Sequence, residues 1–347
     1  FVARGQQPVK FTGKGTVDWL KKMELKKHRK QLKHGFWECV QQAGEVVHIP
    51  EGLEHAVINY GETLAVASQL DGPRADLIHV AAHNQHGKGL RALLAGGLSI
   101  DMLNARGRTA LHDAAAEGVP SVVELLIENG ANVNLGDGTD EERTGGGMMG
   151  RTALHYTVKP IQRDQHEGHA KIAQMLIRAG AHVDARDSQG RTALMDAAEG
   201  GHAEVLQVLL DGDAALGVFC DRGFAPMHYA ALRGNERELA LLLGHGASAD
   251  LPSTAPHAAT PLMLAAASGY RAACVLLLEI GAHVDARGSR GGTALMNAAA
   301  NGHLEVVQLL LERGGDPLVI DSQGYTAESL ATANRHEGVL RMLSSKS

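Results

Sequence analysis

A threonine returns at a nearly fixed interval through most of this chain. Asp76, Thr109, Thr152, Thr192, Ala225, Thr260, Thr293 and Thr326 hold one register, with steps of 33, 43, 40, 33, 35, 33 and 33 residues. Such a period confines a chain to a stack of like units, because each unit exposes an apolar face that only its neighbour can cover. The units read GRTALHDAAAEG, GRTALHYTV, GRTALMDAAEGG, GFAPMHYAALRG, ATPLMLAAASG and GGTALMNAAANG, each followed by an apolar run such as HAEVLQVLLDG. Composition agrees: 44% hydrophobic, only 3% aromatic and 42 Gly suit thin, closely stacked helices rather than one thick core.

Each residue type in the unit has a local task. The register Thr caps a helix by accepting a free N–H of its first turn. His112, His155 and His228, three residues on, are placed to bond across that turn. Paired Ala lets neighbouring helices approach, and Gly118 or Gly201 ends the first helix. The second helix spaces apolar residues at i, i+3 and i+4, as in Val306, Leu309 and Leu310. GAHVDARDSQG and its equivalents end that helix and form a projecting finger.

On these residues the chain from 76 to 347 resembles the ankyrin-repeat family. The fold class expected is mainly α, an ankyrin-repeat solenoid of about eight repeats, its last unit polar and short as a terminal cap. Two insertions interrupt the array, near residues 135–150 and 160–167, and both read as surface loops. The resemblance implies protein binding through the fingers and the concave positions of the first helices. Carried onto this chain, these positions are Asp113, Glu117, Tyr156, Asp196, Glu199, Tyr229, Arg233, Asn297 and Asn301.

The region before the array has another character. GEVVHIP, HAVIN and TLAVASQL read as short strands joined by Gly/Pro turns. GEVVHIPEGLEHAVIN, with Gly44, Glu45, Pro50, Gly52, His55, Val57 and Asn59, resembles the C-terminal part of a JmjC domain; Leu53 and Glu54 stand where that family prefers bulky aromatics. The resemblance implies an incomplete double-stranded β-helix (cupin) over residues 1–71, a linker at 72–75, and a parent enzyme that uses Fe(II) and 2-oxoglutarate to hydroxylate or demethylate protein side chains. It makes His55 the last of three iron ligands. The preceding His-x-Asp/Glu pair that the family requires is absent: His28, His34 and His48 lack the carboxylate. The chain as given is therefore expected to be inactive, and a His-x-Asp/Glu upstream of Phe1 would be needed to complete the site. An ankyrin scaffold carrying a relic cupin segment is the alternative.

Four pairs after His55 fit the His-x-Asp/Glu pattern: His182 with Asp184, His283 with Asp285, His202 with Glu204 and His303 with Glu305. All recur at matching repeat positions, so the array explains them. Asn134, in the finger GANVNLGDG, sits where related hydroxylases modify ankyrin asparagines and is a candidate acceptor. Residues 1–35 hold 10 Lys/Arg against 2 Asp/Glu; without interleaved aromatics this block reads as a solvated helix face rather than a nucleic-acid site. Three scattered Cys suggest a reducing compartment, cytoplasmic or nuclear, and no apolar run reaches the roughly 20 residues of a membrane span. A monomer that binds a protein partner is expected.

Overall fold

A computed structural model of the chain describes residues 58–60, 63–65, 75–85, 87–104, 106–138, 150–158 and 166–344. Before the array, Ile58–Tyr60 and Thr63–Ala65 pair as an antiparallel two-stranded ladder, Ile58 opposite Ala65. The rest of the expected cupin segment, His55 included, lies outside the described residues. The chain forms two compact units, one of residues 1–114 with 121–132 and the other of 115–120 with 133–347.

From repeat four onward the expected helix pairs are present. They are Ala193–Gly200 with Ala203–Asp211, Pro226–Arg233 with Glu236–Gly244, Pro261–Ser268 with Arg271–Glu279, Ala294–Asn301 with Leu304–Glu312, and Ala327–Ala333 with Glu337–Ser344. First helices pack on the first helices of neighbouring repeats, and second helices on second helices. The contact layer is Ala-rich, as in Ala197, Ala198, Ala230, Ala231, Ala265, Ala266, Ala298 and Ala299, all buried. Small side chains set a close helix spacing, and Leu206, Leu239, Leu277 and Leu310 fill the space beneath the second helices.

Repeat three departs from this plan. Its first helix is a single turn, Ala153–Tyr156, with Thr157 as its C-cap. Its second helix, His166–Arg178, begins inside the stretch read as an insertion, so the last residues of that stretch are helical. The other insertion leaves and returns through a closed stem. The Asp137 N–H donates to the Arg151 carbonyl at 2.9 Å, and Gly136 bridges Thr152. A loop closed at its base can lengthen at little cost, which is how a step of 43 residues fits a 33-residue stack.

The register threonines cap as expected. Oγ1 of Thr260, Thr293 and Thr326 accepts the N–H of Met263, Met296 and Ser329 at 3.3, 3.3 and 3.1 Å. The histidines do more than close the cap. Nδ1 of His155 and His228 accepts the backbone N–H of Thr152 and Ala225, at 3.2 and 3.1 Å. The ring proton therefore sits on Nε2, where it meets the carbonyl of Arg191 or Ala259 in the next repeat, at 3.1 and 3.2 Å. Each ring is thus a neutral two-ended bridge between repeats.

A second bridge joins the helix ends. Nε2 of His303 and His336 donates to the carbonyls of Ala267 and Ala300, at 3.0 and 3.1 Å. Nδ2 of Asn235 donates to Ala198 and Glu199, at 2.8 and 3.0 Å. The ring can lie there only because the preceding repeat ends its first helix on glycine. Gly302 has φ +75°, and a Cβ on it would fall 2.4 Å from Nδ1 of His336. Gly246 has a similar φ of +89° but open space around it.

Two outcomes follow. Gly246→Ala is expected to cost only the left-handed backbone strain, about 1–2 kcal/mol; Gly302→Ala adds a clash with His336 and should cost about twice that by urea unfolding. Burial lowers the pKa of His155, and takes that of His228 from 6.5 to about 4. A folded-state value below the unfolded one gives stability that is present above pH 6.5 and lost as pH falls towards 4. His228 alone should contribute about 3 kcal/mol of that loss, and a His228→Gln variant should show a correspondingly flatter pH dependence of unfolding.

Candidate functional site

A row of alternating charges crosses repeats three to five. Asp196 accepts from Nε of Arg191 at 2.8 Å and is also paired with Arg151. Nη2 of Arg191 reaches Glu199 at 2.6 Å, and Glu199 accepts from Arg233 at 2.8 Å. Repeats three, four and five thus contribute Arg151, then Arg191 with Asp196 and Glu199, then Arg233.

The row rests on two tyrosines. The Arg191 guanidinium lies 4.4 Å from the ring centre of Tyr229, and that of Arg151 lies 5.6 Å from that of Tyr156. Tyr156 donates to Asp137 at 2.7 Å, and the Tyr229 hydroxyl meets Cys220 Sγ at 3.2 Å. Tyr229 and Tyr156 are only 2% and 7% exposed, so they form the floor of the row rather than its open surface. Burial raises the pKa of Tyr229, and its bond with Cys220 adds to that. Burial opposes the charge of Arg191, but Asp196, Tyr229 and Glu199 outweigh it and hold its pKa above the ordinary arginine value. Burial also works against Glu199 ionising, yet Arg233 and Arg191 lower its pKa below the usual range. These contacts within the chain hold the row in one geometry.

The other positions expected to bind fall into two groups. Asn297 and Asn301 turn back onto the preceding repeat, donating to Met263 at 3.4 Å and Ala267 at 3.1 Å. Asp113, in the first unit, accepts from Asn104 at 2.9 Å and lies 3.5 Å from Arg108. Glu117, Arg233 and Asn301 are exposed. Sequence reasoning missed Arg151 and Arg191. Their signal was the repeated Gly-Arg-Thr at 107–109, 150–152 and 190–192.

Asn134 belongs to a ladder between fingers. Its Oδ1 accepts the N–H of His182 at 2.7 Å, and its Nδ2 donates to Gly180 at 3.0 Å. Asp184, Asp250 and Asp285 act alike, accepting the N–H of Ala215, His283 and Asp316 at 2.9, 3.0 and 3.0 Å. The His-x-Asp pairs are therefore spent in the stack, and His303 of a His-x-Glu pair is bound to Ala267. Among the described residues no three His, Cys, Asp or Glu side chains gather into a metal site. They do not fit the iron centre that the segment around His55 implies, and His55 itself lies outside the described residues. No described helix is long and apolar enough to cross a membrane.

Comparison with known proteins agrees with this architecture. Residues 53–137, 139–219, 214–288 and 262–347 match the family model of ankyrin repeats, and residues 7–70 match that of the JmjC domain, hydroxylase. The crystal structure of the human ASB11 ankyrin repeat domain superposes with a TM-score of 0.57 at 30% identity, covering 68% of this chain and 98% of that one. The E3 ubiquitin-protein ligase Ufd4 of Drosophila melanogaster is 33% identical over 108 residues, and Rabankyrin-5 of Mus musculus 33% over 99. The B-cell lymphoma 3 protein homolog of Mus musculus is 31% identical over 133 residues. These matches cover 31%, 27% and 37% of this chain, but only 3%, 8% and 26% of the relatives.

Arg191→Leu is expected to lower the unfolding free energy by about 3 kcal/mol, because it removes one of two cations from buried Asp196 and leaves Glu199 with Arg233 alone. Arg233→Ala, at an exposed pair, should cost less than about 1 kcal/mol. Urea titration of both variants checks the contrast.

Proposed function

Because the chain belongs to the ankyrin-repeat family, we propose that it is a protein-binding module whose contact surface is centred on repeats three to five. The observation that carries this reading is the preformed row Arg151, Asp196, Arg191, Glu199 and Arg233. Fixed, alternating charge favours a protein partner with complementary alternation and disfavours one with a uniform field. The outer groups Glu199 and Arg233 make the contact; the buried Tyr156, Tyr229 and Asp196 hold them in place. Glu117, and Asn301 farther along the array, extend the surface.

A second reading concerns what the array serves. The JmjC match over residues 7–70 favours a parent 2-oxoglutarate oxygenase whose protein substrate the array recruits. His55 would then be one of its iron ligands, with the other two outside residues 1–347; no step through that metal follows from the residues described. The scaffold alternative needs the array alone. Both share the binding surface, so the test addresses that surface first.

Arg233→Glu reverses the outermost charge while leaving Glu199 bonded to Arg191 and the buried pair of Arg191 and Asp196 intact. Proteins captured by the full chain and lost with this variant, at a melting temperature lowered by no more than about 4 °C, are the expected result. Identical captures by both would contradict the proposal. A captured partner that gains one oxygen when incubated with iron, 2-oxoglutarate and the complete parent, but not with its His55→Ala form, would decide for the enzyme over the scaffold.

A further inference from the structure

In repeats two, three and five, the residue that turns the finger touches the residue four places after the register position. In repeat two Asn104 turns the finger. Its Oδ1 accepts the N–H of Arg106 and Arg108 at 2.9 and 3.1 Å, and its Nδ2 donates to Asp113 at 2.9 Å. In repeat three Asp137 accepts from Tyr156 at 2.7 Å, and in repeat five Cys220 Sγ lies 3.2 Å from the Tyr229 hydroxyl. Each of these pairs has a hydrogen to share.

Repeat four sets Asp187 and Asp196 at the same two positions, and a carboxylate pair has none. Oδ1 of Asp187 accepts the N–H of Gln189 and Arg191, both at 2.9 Å. Its Oδ2 is buried and meets no donor among the described residues. Arg151 and Arg191 both hold Asp196, whereas no described cation pairs with Asp187. His155 feels the charge of both carboxylates, but burial lowers its pKa and the ring stays neutral. On and beneath the row, the described carboxylates of Asp137, Asp187, Asp196 and Glu199 outnumber the guanidinium groups of Arg151, Arg191 and Arg233 by one. A buried acceptor without a donor works against the fold. Asparagine at 187 would supply the donor, as Asn104 does in repeat two. A local rule broken in this way marks a place where a surface serves binding.

We propose that Asp187 is the specificity-determining acceptor of the charge row, and that the group it selects is a lysine ammonium of the partner protein. This deepens the binding surface proposed above and rests on it. One positive charge matches the odd carboxylate. An ammonium is compact and carries three hydrogens that turn freely, so one group serves Asp187 and Asp196 together; a guanidinium is a rigid planar fork. Asp187 is 6% exposed, so the group must arrive on a narrow, flexible stem, which lysine has. Arg151, the more exposed of the two cations on Asp196 at 21% against 8% for Arg191, moves aside to admit it.

The test selects linear peptides from a phage-displayed library on the full chain. Their binding is then compared on wild type, Asp187→Asn, Asp221→Asn and Arg233→Glu. Asp187→Asn keeps both turn bonds and gives Asp196 a donor, so it is expected to melt at or above the wild-type temperature. Selected peptides are expected to carry a lysine, and changing it to glutamine or arginine should weaken binding about tenfold or more. Asp187→Asn should weaken them as much, while Asp221→Asn, at an exposed carboxylate of the next finger, leaves them unchanged. The proposal is overturned if peptides bind Asp187→Asn as they bind wild type, or if their lysine can be changed without loss. It is overturned as well if Asp187→Asn melts lower, which would make Asp187 a structural residue only. An equal loss with Asp221→Asn would also overturn it, by reducing the effect to general charge. Binding lost with Arg233→Glu but kept with Asp187→Asn leaves the surface standing and this inference fallen. A library that yields no binder, or only binders indifferent to both variants, counts against both.

Discussion

The array depends on a glycine that leaves room for its neighbour's side chain. Gly234, Gly269 and Gly302 end first helices in the left-handed conformation, and the rings of Tyr270, His303 and His336 from the next repeat lie against them. His303 and His336 then take up the carbonyls of Ala267 and Ala300 that the helix end would otherwise leave open. Asn235 does the same for Ala198 and Glu199 beside Gly201. Cap, contact and carbonyl are one device, and none of its parts works within a single repeat.

The same sharing recurs at the other ends of the repeat. His155 and His228 close their own caps with one nitrogen and bond the next repeat with the other. Asp184, Asp250 and Asp285 leave their own fingers to accept from the next. Each repeat therefore lends polar groups to its successor, and stability accumulates at the interfaces rather than inside the units. The charge row is a local elaboration of that plan. Arg191 replaces a purely structural contact with one that spans Asp196 and Glu199, and an aromatic floor fixes its direction.

Much of this was legible in the sequence because the repeat is written in chemistry. Thr at the register, Gly at the helix end and Ala between helices each have one physical use, and the structure puts them to it. The charge row was only half legible. Asp196, Glu199 and Arg233 were read from their places on the first helix, whereas Arg151 and Arg191 sit just before it, where helical spacing gives no direction. Tyr156 and Tyr229 read as contact positions of the first helices, but they are buried beneath arginines from the same and the preceding repeat, which no local pattern reveals. The start of the second helix of repeat three was blurred because its first residues, His166 and Glu167, fall in the polar run read as an insertion, where no apolar spacing marks a helix. The N-terminal segment is the reverse case: its motif is specific in sequence, and a family match supports it, while its key residue lies outside the described structure.

Hydrogen exchange on Asn235→Ala is the most direct measure of the shared-cap account. Asn235 belongs to repeat five, but its side chain bonds only to the end of the first helix of repeat four. If repeats are held by what they lend one another, protection should fall on both sides of that interface, in residues 193–200 as well as 236–244. Loss confined to repeat five, with repeat four exchanging as in wild type, would contradict it.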